Sequence, residues 1–443
     1  VYEKNKRNKK RLYNYQLKNI KDEDIKDRKI KDGGKYIYKK LYGEKILFYF
    51  FCFLILLSFC TVLFFTFLFP VRFWDAISCW SLKGRAFFID GSILSFYNLH
   101  NYEFSHLSYP LFIPLSQTWL YVWLGYLDEK LVKILFPLFY LSIIFIFYIL
   151  FREKFSRDVS IVFIFIFSSL PVIIDHGYLE YTNLVFSIIL FVAVYFFYMN
   201  LKYKKAGYLL ASSMFFTILA QIRTEGLIFL AIFLTINIAY RIIELIKKRN
   251  DNMQKLSNNS TKLKIALKNT FFNLLVPPLF FAVLTTPWLI LKNTLKIPFL
   301  SIEWLGLFTG KSNDTSLVFV NLWKDFFRWL QTFNMFSFDF RHAFKALVSQ
   351  IAYSGYNSTR AFLGSSYGIV WVVLFIIFLI NIKKMLSDFN WAYPLFIIPG
   401  FILLFLSLAL IPEFIWSVDR YVLHLFPLTY FWILYNLPLF KIC

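Results

Sequence analysis

Ten stretches of this chain carry almost no ionisable side chains: 46–70, 134–151, 159–174, 181–201, 206–222, 226–240, 270–291, 361–382, 389–412 and 421–440. No other feature constrains the fold as strongly. A helix apolar on every side has no stable place in water, whereas about 20 such residues cross the hydrocarbon core of a bilayer. The runs are unbroken and lack the alternation of a half-buried strand or an amphipathic helix, which makes lipid the expected partner. Composition agrees: the 443 residues are 58% hydrophobic and 17% charged, against about 25% charged in soluble domains. Backbone in hydrocarbon must satisfy its own hydrogen bonds. The predicted fold class is therefore all-α and polytopic, with about ten transmembrane helices, the shorter runs borrowing a flanking turn.

The net charge of +22 raises nucleic acid as a partner, but its placement argues against one. Residues 1–45 hold 16 Lys/Arg against 7 Asp/Glu, a net of +9, ahead of the first apolar run. This reads as a basic cytoplasmic tail, distinct from the membrane domain at 46–443, that touches anionic lipid and holds the N-terminus inside. It lacks the apolar core of a signal peptide. Cys52, Cys60, Cys79 and Cys443 lie singly and give no metal or redox spacing.

With the N-terminus inside, the connections at 152–157, 202–205, 241–269 and 383–388 all fall on the inner face, and all carry Lys or Arg. That is the bias the positive-inside rule requires. Residues 107–127 (LSYPLFIPLSQTWLYVWLGYL) are also uncharged, but a crossing there would turn every later basic connection outward. They are expected to lie at the outer interface, with Trp119, Tyr121, Trp123 and Tyr126 at headgroup depth and His106 opening the helix.

The outer face then receives 71–130, DHGYLEY (175–181), RTEG (223–226), a long loop at about 292–360 and PEFIWSVDR (412–420). Asp75 stands just after the first span, and Asp175, His176 and Glu180 lie in the turn between the third and fourth. Two carboxylates at one face can hold a divalent metal or deprotonate a hydroxyl. Arg420 suits bidentate phosphate binding, and His106 is a candidate donor to an anionic lipid head. Arg223 and Glu225 pair opposite charges at a membrane face. Such residue types suit reaction on a lipid-linked anionic substrate, where the departing phosphate needs cations and the acceptor hydroxyl needs a carboxylate base.

Four stretches resemble the type C (GT-C) superfamily of multi-spanning glycosyltransferases, the nearest being bacterial, family 39-like members akin to the protein O-mannosyltransferases. WDAISCWSLKGRAFF is similar to that family's first-loop pattern of an acidic residue followed by W-x-x-K-A, with Asp75 at the catalytic aspartate's place. HLSYPLFIPLSQTWLY resembles its His- or Lys-x-Pro-Pro-Leu segment. HGYLEYTN resembles its second acidic segment, with Glu180 in the acidic place. LAQIRTEGLIFL and SVDRYVLHLFPL resemble T-K-x-E-G-L and R-Y-x-L-x-x-x-P segments. The likeness covers roughly 46–240 and 410–437. One acidic residue stands where the family often has a pair, and Tyr109-Pro110 replaces a Pro pair.

The resemblance implies transfer of a sugar from a polyprenyl-phosphate donor to an acceptor hydroxyl at the exoplasmic face. Asp75 and Glu180 would be catalytic, and Arg420, His106, Lys83 and Arg85 would neutralise the donor phosphate. Asp175, His176, Arg223 and Glu225 would support them. A divalent cation (Mg or Mn) would sit on Asp75 and Glu180 if one is used. The expected location is the bacterial inner membrane, or the endoplasmic reticulum in a eukaryote. A lipid-linked oligosaccharide polymerase or ligase, using a diphosphate donor, is the alternative. A transporter would place its charges near the bilayer midplane, and this chain keeps them at the ends of its runs.

Overall fold

The computed structural model describes residues 28–98, 105–254, 260–295, 297, 367, 369–386, 388–410 and 418–437. Residues 1–27 of the basic tail, Trp416 and nearly all of the loop expected at about 292–360 lie outside them. Every regular element among the described residues is helical.

Helix α1 (Arg28–Leu68) contains the first crossing segment, Lys45–Leu68. It ends at Phe69-Pro70, where proline removes a backbone donor and disfavours the helical region for its predecessor. The chain then makes a six-residue π-helix, Ala76–Ser81, and three short α-helices: α2 (Leu82–Asp90), α3 (Ile93–Asn98) and α4 (Phe112–Leu124). Helix α4 stops at Gly125, whose φ of 76° a side chain would resist and whose N–H closes on the Tyr121 carbonyl.

A 3₁₀ turn, Leu131–Ile134, leads into α5 (Leu135–Arg152). Helices α6 (Arg157–Ser168) and α7 (Pro171–Tyr178) follow, bent by 68° where Leu170 turns extended ahead of Pro171. Next come α8 (Thr182–Tyr203), α9 (Ala206–Ile222), α10 (Gly226–Gln254) and α11 (Ser260–Thr294). The last described elements are α12 (Val370–Met385), α13 (Pro394–Leu410), α14 (Val418–Leu423) and α15 (Phe426–Tyr435).

Within the described residues each of the apolar runs falls on helices, and the chain is a multi-pass membrane protein whose described regular elements are all helical. They are not ten equal spans. Among the described residues five helices are long and apolar enough to cross, or six if the bent α6–α7 pair counts as one span. Helices α9, α12 and α13 are shorter, and the run at 421–440 is divided ahead of Pro427 into α14 and α15.

Helix α8 is the axis of the packing: 72% of its apolar window is buried, against 11% for α1, which leaves α1 mostly to lipid. Phe147 of α5 fills the centre, within 4.8–6.1 Å of the rings of Phe151, Phe167, Phe191, Tyr430 and Phe431. These contacts draw helices far apart in sequence around one core.

Two sets of polar contacts mark opposite ends of the bundle. At one, Lys133 Nζ donates to the Phe69 carbonyl (2.6 Å), Arg223 Nη1 to Thr182 Oγ1 (3.1 Å), and Arg420 Nη1 to Asp75 Oδ2 (2.5 Å). At the other, Lys154 Nζ donates to the Tyr435 carbonyl and Arg241 Nη2 to Asn200 Oδ1 (2.5 Å). The Lys133–Phe69 bond decides the status of 107–127. It joins the end of α1 to the start of the next crossing segment, so the chain between them leaves and returns at one end. The helix there is α4, 13 residues or about 20 Å long, too short for a bilayer core of about 30 Å. It starts at Phe112, not at His106 as expected, because Pro110 holds Tyr109 out of the helical region.

Candidate active site

The loop after α1 places Asp75 by an unusual backbone. Phe73 holds a left-handed φ of 74°, costing about 1–2 kcal/mol for a residue with a Cβ. Its carbonyl nevertheless accepts the Ile77 N–H at 3.0 Å, and Asp75 stands at the N-terminal edge of the π-helix that starts at Ala76, its side chain free of any capping bond to that helix. The turn therefore sets Asp75 at the rim, with Phe73 and Trp74 exposed beside it. Ser78 Oγ donates to the Trp74 carbonyl at 2.7 Å and steadies the turn.

Arg420 reaches Asp75 from the opening of α14. Besides the 2.5 Å contact, its guanidinium lies 4.9 Å from the centre of the Tyr181 ring. Tyr181 in turn meets Phe73 at 6.3 Å, so carboxylate, guanidinium and two rings form one group. Asn183 Nδ2 donates to the Arg420 carbonyl (3.3 Å) and to His424 Nε2 (3.1 Å), holding α14 against α8. The negative partner and the aromatic face keep Arg420 charged against the cost of burial, its pKa raised above the usual guanidinium value.

Glu180 does not join this group. Leu179 and Tyr181 have extended backbone, with ψ of 143° and 139°, and successive side chains of an extended segment point to opposite sides. Leu179 and Tyr181 pack on Ala76 of the first loop. Glu180 turns the other way and is buried, with Oε1 3.6 Å from Lys133 Nζ. Burial raises its carboxyl to about 7 despite the pull of Lys133.

Asp75 and Glu180 therefore do not converge on one point in this arrangement. Each carboxylate is neutralised by its own cation, and no group of three or more His, Cys, Asp or Glu converges among the described residues. The donor set does not fit a divalent ion.

Arg223 and Glu225 form a second ion pair nearby, with three contacts: Nε lies 3.3 and 3.2 Å from the two carboxylate oxygens and Nη2 2.8 Å from Oε1. Arg223 also caps Thr182 and lies 5.7 Å from the Tyr421 ring. Gly226 makes this turn possible, since a Cβ there would stand 2.2 Å from the Leu219 carbonyl oxygen.

The remaining candidates are distributed around this centre. Lys83 is fully buried and donates to the His106 carbonyl at 2.8 Å; burial pulls its amine down to about 7. His106 has a φ of 51° and stacks on Tyr109 at 4.9 Å, which stacks on Trp80 at 5.4 Å. Arg85 is exposed and pairs with Glu129 at 3.2 Å. Asp175 accepts from the Tyr178 hydroxyl at 2.9 Å, and His176 is buried with Nδ1 donating to the Val172 carbonyl at 2.9 Å.

Sequence reasoning missed Lys133, Tyr181, Asn183 and Lys292, whose ammonium is buried over the Trp288 ring at 5.0 Å and near Lys83. Lys133 was detectable in principle: a cation stands immediately before the apolar run at 134–151.

Fold and site together define a multi-pass membrane protein with a carboxylate–guanidinium centre at one end of its bundle. No protein-family model and no curated protein matches this chain. Among solved structures it is similar to the archaeal oligosaccharyltransferase AglB from Archaeoglobus fulgidus in complex with an inhibitory peptide and a dolichol-phosphate, at 12% identity and a TM-score of 0.44. It is also similar to the Archaeoglobus fulgidus oligosaccharyltransferase in the apo form, at 13% identity and 0.43. Each match covers 86% of this chain and 50% of the other, so the chain spans half the length of these enzymes. Likeness at this level assigns neither family nor activity.

Proposed function

We propose that this chain is a glycosyltransferase that moves a sugar from a polyprenyl-phosphate donor to an acceptor hydroxyl at the exoplasmic face. The observation that carries the reading is the Arg420–Asp75 pair. It couples a phosphate-binding cation to a carboxylate base at a rim that is neither deep in the bundle nor fully in water.

The pair suggests an order of events. A donor phosphate arriving at Arg420 competes with Asp75 for the guanidinium, and binding it releases the carboxylate. Asp75 then accepts the proton of the acceptor hydroxyl as that oxygen bonds to the anomeric carbon. The bond from the anomeric carbon to the phosphate oxygen breaks with inversion, and the electron pair leaves on the phosphate, which Arg420 neutralises. Arg223, Glu225 and Asn183 support the centre by fixing the starts of α8, α10 and α14. The proposed setting is a bacterial inner membrane with the N-terminus in the cytoplasm.

The test is turnover of radiolabelled sugar on mono- and diphosphate polyprenyl carriers by the full chain in proteoliposomes. Transfer from the monophosphate, abolished by Asp75→Asn, is the expected result. Use of diphosphate carriers alone would shift the reading to an oligosaccharide ligase or polymerase. Normal turnover by Asp75→Asn would remove Asp75 from the chemistry.

A further inference from the structure

The contacts of Lys133 go beyond the transfer reaction itself. Its ammonium is 2% exposed, donates to the Phe69 carbonyl at 2.6 Å and stands 3.6 Å from Glu180 Oε1, which is equally buried. Phe69 carries one of the carbonyls left without a helical partner at the end of α1, and a cation is the favoured group at that end of a helix dipole. One side chain at the start of the second crossing segment thus holds the end of the first and the connection that follows the bent third.

Both held ends lead directly into the candidate centre. From Phe69 the chain runs through Pro70 and the left-handed Phe73 to Asp75. From Glu180 the next residue is Tyr181, the ring beneath Arg420. We propose that Lys133 is a positioning residue, with Glu180 as its counter-ion, and that this junction sets the separation of Asp75 from Tyr181 and Arg420. Glu180 then acts through Lys133 and touches neither donor nor acceptor.

A buried pair of this kind stabilises little on balance, but losing one partner strands the other in a low-dielectric site. Charge state therefore matters. Among the described residues the charged and titratable groups whose fields reach the pair are Arg72 from the exit loop, Glu129 and Lys130 from the turn before Leu131, and Tyr121 from α4. Glu180 ionises at about 7 in this setting. Below that pH Lys133 loses its counter-charge, and above it the two charges face each other at the junction.

The experiment uses the full chain with its four native cysteines replaced and nitroxides at Ile77→Cys and Asp175→Cys, so that an electron-spin distance reports the junction. Transfer kinetics are measured in parallel from pH 5.5 to 8.5. Wild type should give one narrow distance, Lys133→Met a broad one with kcat at least 30-fold lower, and Lys133→Arg a narrow one with most of the rate restored. Glu180→Gln keeps an acceptor for Lys133. It should retain at least a tenth of the wild-type kcat and lose the inflection near pH 7.

An unchanged distance and rate in Lys133→Met overturns the proposal. So does loss of all transfer in Glu180→Gln with a narrow distance, which would make Glu180 a base or ligand. The rates rest on the proposed glycosyl transfer, but the distances do not. Failure to find any donor would sink that function and leave the junction decided by spin separation alone.

Discussion

Arg420 and Asp75 lie 345 residues apart in sequence and 2.5 Å apart in the fold. Asp75 lies near the start of the first loop and Arg420 lies in α14, near the end of the described chain, so the contact joins the two ends of the membrane domain at the candidate centre. Asp75→Asn preserves shape and hydrogen bonding to Arg420 while removing the base. Transfer should fall by about 10²–10⁴-fold, the usual worth of a positioned base, with unfolding temperature within a few degrees of wild type. Arg420→Lys keeps the charge but not the planar fork, and donor KM should rise more than kcat falls. Steady-state kinetics on a lipid-phosphate donor check both.

The pH dependence of stability follows from two groups with opposite signs. Folding raises Glu180 from its ordinary 4.5 to about 7, so the folded chain holds an extra proton in that window. Stability is fully present below 4.5 and falls as pH climbs to about 7. Lys83 drops from 10.5 to about 7 on burial. There the unfolded chain holds the extra proton, and stability rises with pH above about 7. The unfolding midpoint in detergent should pass through a minimum near neutrality. Glu180→Gln should flatten the acid limb and Lys83→Met the alkaline one.

Gly226→Ala tests the turn that seats Arg223 and Glu225. The added methyl would sit 2.2 Å from a main-chain carbonyl oxygen that no rotamer can move. A loss of about 3 kcal/mol or more is expected. Gly207→Ala, where a Cβ meets open space, is the control and should be neutral or stabilising. Thermal unfolding of both variants separates the two effects.

Sidedness is testable with single cysteines and an impermeant reagent. Trp123→Cys on the exposed face of α4 and Trp74→Cys beside Asp75 should label from the same side. Lys204→Cys, at the Asn200–Arg241 end, should label from the other side. Labelling of Trp74 and Trp123 from opposite sides would mean that α4 crosses and that the helix order is wrong.

Much of this protein was legible in its sequence. Unbroken apolar runs have one stable setting, and the spacing of basic connections gives each helix an expected direction, so class, helix order and the grouping of Asp75, Arg223 and Arg420 at one end of the bundle follow without coordinates. The interfacial placement of 107–127 followed the same way, because a crossing there would have reversed every later basic connection. Run length did not reveal that α6 and α7 bend, or that the last run is two helices. Those breaks depend on prolines whose effect in a membrane is set by the packing around them.

Which side chains meet was decided by the tertiary structure alone. Asp75 and Glu180 both stand at one face, and sequence placed them in one site. Extended backbone at Leu179 and Tyr181 turns Glu180 away from Asp75, and Lys133 receives it. A contact between side chains depends on the rotation and depth of each helix, and the fitting of buried surfaces fixes both. Sequence order and charge grouped Asp75, Glu180, Arg223 and Arg420 at one end of the bundle; packing determined that Arg420, rather than a second carboxylate, faces Asp75.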